Sequence, residues 1–449
     1  MAEVSVPWGR EQLTFKLPEH WTLQQVAEPA LRPAPKDWPD RLGVAMSQPG
    51  TGLPLSKLLT ARRGGRILLV LEDVTRHSPL PQILEPVMRE IRYARVGDNQ
   101  VEVLFATGMH PPMTARQAGE KLGPAAEGIR WRCNPWDDPA RYVHVGDVGR
   151  VSAMIDRGVA GADLRIIISS VSPHLQAGFG GGYKMLVPGC ANLETIRSLH
   201  RLGVERVPRQ LVGMDAGKNP MRAVIDAVGQ KIDQAGGKSF AVQYLLDNDD
   251  LPAFIATGEV IPTYRMVAKQ CSVACGIITS GPADVLITNA HPRDYDLWQS
   301  FKCIPNTRWA VRPNGVIICL ARSEAGAQGM DVPRRWGVGP AWMRRLVRTL
   351  GPEAIASLVT RMLPALAGEA AFFVRMALQT IYRNHVLMVS PRLVETIGHF
   401  PGLRLFASVD QAIAAADAIL GRKPQRVAVY PAGGTTFPVP PPNAAEHRE

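Results

Sequence analysis

Cysteine is scarce and scattered: Cys133, Cys190, Cys271, Cys275, Cys303 and Cys319 are the only six in 449 residues. None of them forms a C-x-x-C pair, and Cys271 and Cys275 stand four apart. That pattern excludes the usual zinc-ribbon and dithiol frameworks, and a disulfide scaffold is foreign to so long a chain. Buried free thiols in a reducing compartment account for them. Long hydrophobic runs are missing as well. A membrane span needs roughly 20 apolar residues, and the richest stretch, Leu366 to Ile381, is interrupted by Glu369 and Arg375. The opening MAEVSVPWGREQLTF lacks the apolar core of a signal peptide. A cytoplasmic protein without a membrane partner is the expectation. Zinc motifs of the H-x-x-x-H or H-E-x-x-H kind are also lacking, which argues against an ordinary protein-ligated zinc site.

Charge is present but unfocused. Fifty-one basic against 40 acidic residues leave a formal charge of +11, which favours small anions or nucleic acid only weakly. The densest basic cluster is Arg334, Arg335, Arg344, Arg345 and Arg348, with Trp336 and Trp342 as its aromatic neighbours. A solvated basic helix face explains it better than a nucleic-acid surface. Hydrophobic residues at 46% and charged residues at 20% are ordinary for a globular chain, and the length allows two or three domains.

Apolar periodicity supplies the architecture. Residues 4 to 17 alternate loosely around Trp8-Gly9, which predicts a hairpin, and prolines between 28 and 40 mark an extended connection. Short apolar runs at Arg66 to Leu71, Gln100 to Phe105 and Leu164 to Ser169 read as strands, with helical spacing from Leu80 to Ile91 and after Thr114 between them. A helix from Met221 to Ala235 and a strand from Phe240 to Leu246 follow. A second α/β unit opens with Asp284 to Thr288, and Asp294 is the expected cap of a helix carrying Trp298, Gln299 and Lys302. The predicted fold is α/β: two α/β domains with largely parallel sheets and an active-site cleft between them. The expected domains are 1–268, which anchors the chemistry, and 269–425. A terminal strand and loose proline-rich tail, 426–449, follow and return to the first domain.

In a parallel sheet, ligands gather beyond the carboxyl ends of the strands. Three predicted strands end in DVTRHS, ATGMHPP and SSVSPH, so Asp73, Arg76, His110 and His174 are expected to face one crevice. Two histidines there offer an acid and a base at neutral pH. Each is equally a structural loop histidine, and Arg76 beside Asp73 is either a surface pair or a carboxylate grip. The stretch after the third strand carries Gly180, Gly181 and Gly182, then Lys184, Pro188-Gly189 and His200. As a phosphate loop the glycine run is a weak signal, since it is not G-x-G-x-x-G in its usual setting. On spacing alone His200, in a helix that Asn192 can cap, is more often a satisfied structural histidine than a ligand.

The combination of DVTR, GMH, PHLQAGFGGGYKMLVPG, His200 and PRDYDLWQSFK resembles the nickel-pincer lactate racemase family, and the likeness runs over most of the chain. The resemblance implies a racemase or epimerase of a 2-hydroxy acid, an isomerase. It implies a covalently attached nickel-pincer nucleotide, nickel pyridinium-3,5-bisthiocarboxylic acid mononucleotide, with Lys184 as its anchor and His200 as the protein's ligand to nickel. Gly180, Gly181, Gly182 and Asp73 would contact that cofactor. His110 and His174 would be the two acid–base groups, and Arg76, Lys302, Gln299 and Trp298 would bind substrate. Cofactor-biosynthesis proteins are the implied partners, and nucleic acid is not among them. Departures from the family pattern cluster on the substrate side. His77-Ser78-Pro79 follows the arginine, Met109 and Pro111 flank His110, and Gly180 replaces a usual serine. They point beyond a lactate-like acid to a larger or differently charged 2-hydroxy acid or a sugar acid. A net dehydrogenase on the same cofactor and a non-catalytic binder of anionic metabolites are the alternatives.

Overall fold

The computed structural model describes residues 2–203, 209–327, 339–363, 370–400 and 402–440. Arg334, Arg335 and Trp336 of the basic cluster, and the chain beyond residue 440, lie outside the described residues. The chain divides into two compact units. One takes in Leu31–Glu205 and Gly213–Ala274; the other takes in Met1–Ala30, Arg206–Val212 and Cys275–Glu449.

The first unit is built on a six-stranded sheet. Its strands run in the order Pro252–Gly258, Lys238–Leu246, Leu164–Ser170, Ile67–Leu71, Val101–Phe105 and Arg130–Cys133. All pairs are parallel except the edge pair of Pro252–Gly258 with Lys238–Leu246. The uninterrupted apolar run ILLVL requires cover on both faces. Ile67, Leu69 and Leu71 point into one core, and Leu68 and Val70 into the other. The helix Leu80–Tyr93 closes the first core with Leu80, Ile83, Leu84, Val87, Met88 and Ile91 at helical spacing. Each such side chain contributes about 1.5–3 kcal/mol by leaving water. The helices Leu193–Leu202 and Pro220–Ala235 close the second. From the Ile67 strand the chain moves outward to Val101–Phe105 and Arg130–Cys133. It then returns to lay Leu164–Ser170 on the other side of Ile67–Leu71. The strand order therefore reverses between these two neighbours, the position where α/β sheets open a ligand crevice.

The second unit has a fully parallel sheet in the order Arg404–Phe406, His385–Val389, Val311–Leu320, Ala283–Asn289, Gln425–Tyr430 and Trp21–Val26. The opening hairpin, Glu3–Trp8 with Glu11–Lys16, packs Val4, Val6 and Phe15 into this unit's core. Sequence order groups residues 1–30 with the first domain and sends the last strand back to it. The pairing of Gln425–Tyr430 with both Ala283–Asn289 and Trp21–Val26 puts both ends of the chain in the second unit. Phe437–Val439 is likewise a strand, paired with Gly276–Ile278, where composition suggests a loose tail.

Local signals were mostly followed. Thr114 caps its helix by accepting from Gln117 N, and Asn192 caps Leu193–Leu202 by accepting from Thr195 N. One cap moves. Asp296, not Asp294, accepts from Gln299 N at 2.7 Å and starts the helix Leu297–Ser300. The Asp294 carboxylate instead lies 3.7 Å from Arg322. The helix Val260–Cys275 has no counterpart in the sequence-based expectation. Its Pro262 falls in the first turn, where a missing N–H is harmless. No helix among the described residues is long and apolar enough to cross a membrane.

Candidate active site

The reversal point sets two strand ends side by side. A buried carboxylate, Glu72, fastens them together. It accepts from Ser170 N at 2.8 Å and Ser170 Oγ at 3.0 Å, from Tyr244 Oη at 3.2 Å, and from Ser78 Oγ. The backbone that follows each strand is thus held in place just where Asp73 and His174 emerge.

Asp73 is buried, and both its oxygens are engaged. Oδ1 accepts from Thr75 N at 3.0 Å and Thr75 Oγ1 at 2.6 Å; Oδ2 lies 2.6 Å from His110 Nδ1. Burial opposes the charge. The hydrogen bond and charge of His110, with Arg76 and Thr75, outweigh it and hold the carboxyl well below the usual carboxylate range. An ionised Asp73 accepts, so His110 Nδ1 carries a proton, and the tautomer that leaves a lone pair on Nε2 is the one this contact selects. Half of the His110 side chain is exposed. Its loop is pinned by Gly108 N donating to Gly189 O at 2.9 Å and by Asn134 Nδ2 donating to Gly108 O at 2.9 Å.

Because His110 and Thr75 take up Asp73, Arg76 is not its ion-pair partner. The Arg76 fork reaches only Thr75, at 3.3 and 3.4 Å, and among the described residues it forms no ion pair. Its backbone carbonyl accepts from Lys121 Nζ, which steadies the turn from below. An arginine held this way is a ready carboxylate grip.

His174 is set differently. Its Nδ1 accepts from Gln176 N at 3.2 Å and from Ala177 N at 3.1 Å. Backbone N–H groups only donate, so the neutral ring carries its proton on Nε2. Gln176 also donates from Nε2 to the carbonyl of His200 at 2.9 Å, and its own carbonyl accepts from Asn219 Nδ2 at 2.8 Å. One buried glutamine therefore ties the His174 turn to the last turn of the helix that carries His200.

The glycines divide into two kinds. Gly181 and Gly182 have φ of 80° and 62°. A Cβ on Gly181 would come 2.6 Å from Gln243 Oε1 and 2.8 Å from Val171, so both conformation and space require glycine. At Gly180 the nearest atom to such a Cβ is Ser172 O at 3.7 Å, and a side chain would fit. Two buried residues clamp this loop. Gln243 accepts from Gly182 N at 2.7 Å, and Arg222 donates to Phe179 O at 2.6 Å and to Gly181 O at 3.2 Å while lying 4.0 Å over the Tyr264 ring. Lys184 follows in the turn Gly182–Met185. Desolvation, then the charges of Arg76 and Arg222, push its amine down to about 7, against a smaller pull from Asp73. Lys184 thus shares the electrostatic neighbourhood of Asp73 and Arg76 and is largely neutral at a pH where most lysines are cations.

The first unit accordingly brings together Asp73, Arg76, His110 and Lys184, with His174 and His200 linked through Gln176. Trp298, Gln299 and Lys302 belong to the other unit. There Lys302 Nζ donates to Gln299 Oε1 at 2.6 Å, and Trp298 meets the Phe373 ring at 4.6 Å. Among the described residues no group of three or more His, Cys, Asp or Glu side chains is arranged to hold a metal ion. Residues with no motif around them went unforeseen: Glu72, Gln176, Arg222 and Gln243. Their one signal is a polar residue inside an otherwise apolar element, as with Gln243 in the strand KSFAVQYLL.

Comparison with known proteins follows the same lines. Residues 8–212 match the model of the lactate racemase N-terminal domain. The lactate racemase of Thermoanaerobacterium thermosaccharolyticum is 25% identical over 339 residues, 73% of this chain and 76% of that one. That of Lactiplantibacillus plantarum is 23% identical over 342 residues, 73% and 77% of the two chains. The lactate racemase apoprotein structure from T. thermosaccharolyticum shares the fold with a TM-score of 0.81 at 20% identity, covering 98% of this chain and all of that one. A Thermotoga maritima protein structure shares it with a TM-score of 0.62 at 15% identity, covering 93% of this chain. These likenesses in sequence, on parallel α/β units, place the chain with isomerases of the racemase class. Within that class, residues 8–212 carry the lactate racemase N-terminal domain, and the chain as a whole is similar to lactate racemases.

Proposed function

We propose that this protein racemises or epimerises a 2-hydroxy acid: lactate, a larger hydroxy acid or a sugar acid. The observation that carries the proposal is the pairing of His110 with Asp73 beside an Arg76 fork that has no ion-pair partner among the described residues, at the reversal point of the sheet. Arg76 binds the substrate carboxylate bidentately. His110 Nε2, with Asp73 behind the ring, takes the hydroxyl proton as the carbon–hydrogen bond at C2 breaks, and Asp73 stabilises the resulting imidazolium. His174 presents Nε2–H to the same oxygen. To act as a base in its turn, it must move its proton to Nδ1 and release the N–H groups of Gln176 and Ala177. Lys302, steadied by Gln299, and Trp298 are further proposed substrate contacts.

The residues fit the nickel-pincer nucleotide. Lys184 is a buried-side amine near neutrality, the form that acylates. Gly181 and Gly182 form a cradle without side chains, with Asp73 and Gly180 beside it, and a phosphate can approach such backbone closely. His200 is a single imidazole in place of a complete metal ligand set, which suits a metal whose other ligands arrive with the cofactor. When bound, this group supplies the site that accepts hydride from C2 and returns it. Proteins that build the cofactor are the partners this reading requires.

The test is to produce the chain together with cofactor-making enzymes and weigh the peptide containing Lys184. A mass increase with nickel in the purified protein supports the anchor; the unmodified peptide and no nickel would refute it. His110→Gln and His174→Gln should then retain nickel and lose interconversion, whereas full activity in either would defeat its acid–base role.

A further inference from the structure

A second cationic centre lies in the other unit, at the amino-terminal edge of its sheet. A cavity of about 370 Å³ is lined by Arg308, Trp309, Asn314, Arg348, Tyr382 and Arg383 among others, and among the described residues no carboxylate lines it. Arg308 is only 5% exposed. One of its amino groups donates to Thr380 Oγ1 at 2.9 Å, and its Nε has no partner. The guanidiniums of Arg308 and Arg383 lie 4.8 and 5.4 Å from the centre of the Trp309 ring. On the opposite wall Asn314 Oδ1 accepts from both Arg344, at 3.0 Å, and Arg348, at 2.8 Å. Arg344 is 7% exposed and its Nε is also without a partner. Within the basic cluster Arg344 is therefore buried, while Arg345 and Arg348 stay exposed on the helix.

Buried guanidinium groups normally have a paired carboxylate, because an uncompensated charge is costly out of water. Among the described residues the buried Arg308 and Arg344 form no ion pair, and neither does the exposed Arg348 at the rim of the cavity. The strain is visible in their titration: burial, then Arg383, pushes Arg308 down to about 10, and burial, then Arg344 and Arg348, pushes His385 down to about 4. Asn314, which bridges two arginines, adopts a left-handed φ of 62°, unusual for a residue other than glycine.

We propose that this cavity is a second ligand site, for a compact polyanion carrying phosphate. More than one negative charge is needed to answer several guanidiniums, and the planar fork of arginine matches phosphate oxygens in pairs. The Trp309 ring is already occupied by two guanidinium contacts, so recognition rests on charge and hydrogen bonds, not on stacking of a base.

The experiment is calorimetric titration of the full chain with inorganic pyrophosphate, and with inorganic phosphate as the smaller probe. Saturable binding of pyrophosphate is expected, weakened about tenfold or more by Arg348→Gln and by Arg383→Gln, as for loss of a charge-assisted hydrogen bond. Arg76→Ala and Lys184→Ala should leave it unchanged, which separates this site from the one in the first unit. Circular dichroism and melting of each variant establish that it is folded. Absence of saturable binding in the parent chain overturns the proposal. So does binding that survives both Arg348→Gln and Arg383→Gln, or that disappears with Arg76→Ala.

Discussion

His110 Nδ1 lies 2.6 Å from Asp73 Oδ2, across the carboxyl ends of two adjacent parallel strands. The contact fixes the His110 tautomer and frees Arg76 from pairing with Asp73. Replacing the carboxylate should expose both effects. Asp73→Asn is expected to lower kcat by about a hundredfold or more, the usual worth of a positioned general base. KM should change much less, because Arg76 still holds the substrate. Steady-state kinetics on the loaded enzyme decide it; an unchanged kcat would remove Asp73 from the proton path.

Lys184 offers a titration. With its amine pushed down to about 7 by burial, Arg76 and Arg222, labelling of the unloaded protein by an amine-acylating reagent should reach half its maximal rate near pH 7. The sign for stability follows. The folded lysine sheds its proton near 7 and the unfolded one near 10.5, so the unfolded chain binds more protons between them. This group's contribution therefore rises with pH through that window and is least favourable below 7. A labelling midpoint near 10.5 would contradict the burial argument.

His174 should differ from His110 in where its proton sits. Nitrogen-15 spectra of histidine-labelled protein, assigned with His110→Gln and His174→Gln, are expected to show the Nδ1–H form at His110 and the Nε2–H form at His174. Identical tautomers at the two rings would mean that Gln176 and Ala177 do not hold His174 as described.

Arg222 sits fully buried behind the glycine loop, donating to Phe179 O and Gly181 O. Arg222→Met leaves those carbonyls unpaired and Asp226, 3.6 Å away, without its cation. A loss of about 3–5 kcal/mol is expected, as for a buried pair that loses one member. The same change removes a positive charge from near Lys184, so the lysine's labelling midpoint should rise. Denaturant unfolding and the labelling profile read the two effects separately. Unaltered stability would show that the loop does not depend on the clamp.

What was legible in the sequence follows from the range of the interactions involved. Strand ends announce themselves: ILLVL, VEVLF and LRIIISS stop at DVTR, GMH and SPH, and parallel pairing then brings Asp73, Arg76 and His110 together. Caps at Thr114 and Asn192 are local, and were read correctly. Asp294 failed as a cap because a distant residue, Arg322, claims its carboxylate. The place of residues 1–30 was hidden for a similar reason. Only the pairing of Trp21–Val26 with Gln425–Tyr430, some 400 residues apart, decides it. Glu72, Gln176, Arg222 and Gln243 act through hydrogen bonds across elements, and no spacing rule reveals such partners. In the basic cluster Arg345 and Arg348 are exposed on the helix, as composition suggests, whereas composition does not reveal that Arg344 is buried against Asn314.

The central claim is inversion at C2 by hydride, not proton, transfer. The most direct measurement takes one enantiomer of lactate deuterated at C2, and then a panel of larger 2-hydroxy acids, with loaded enzyme in ordinary water. Chiral chromatography and mass spectrometry follow the product. The prediction is a mixture of both enantiomers that keeps the deuterium at C2, for at least one acid of the panel. Deuterium lost to solvent, or no inversion of any acid by protein shown to carry the nickel adduct on Lys184, would contradict it.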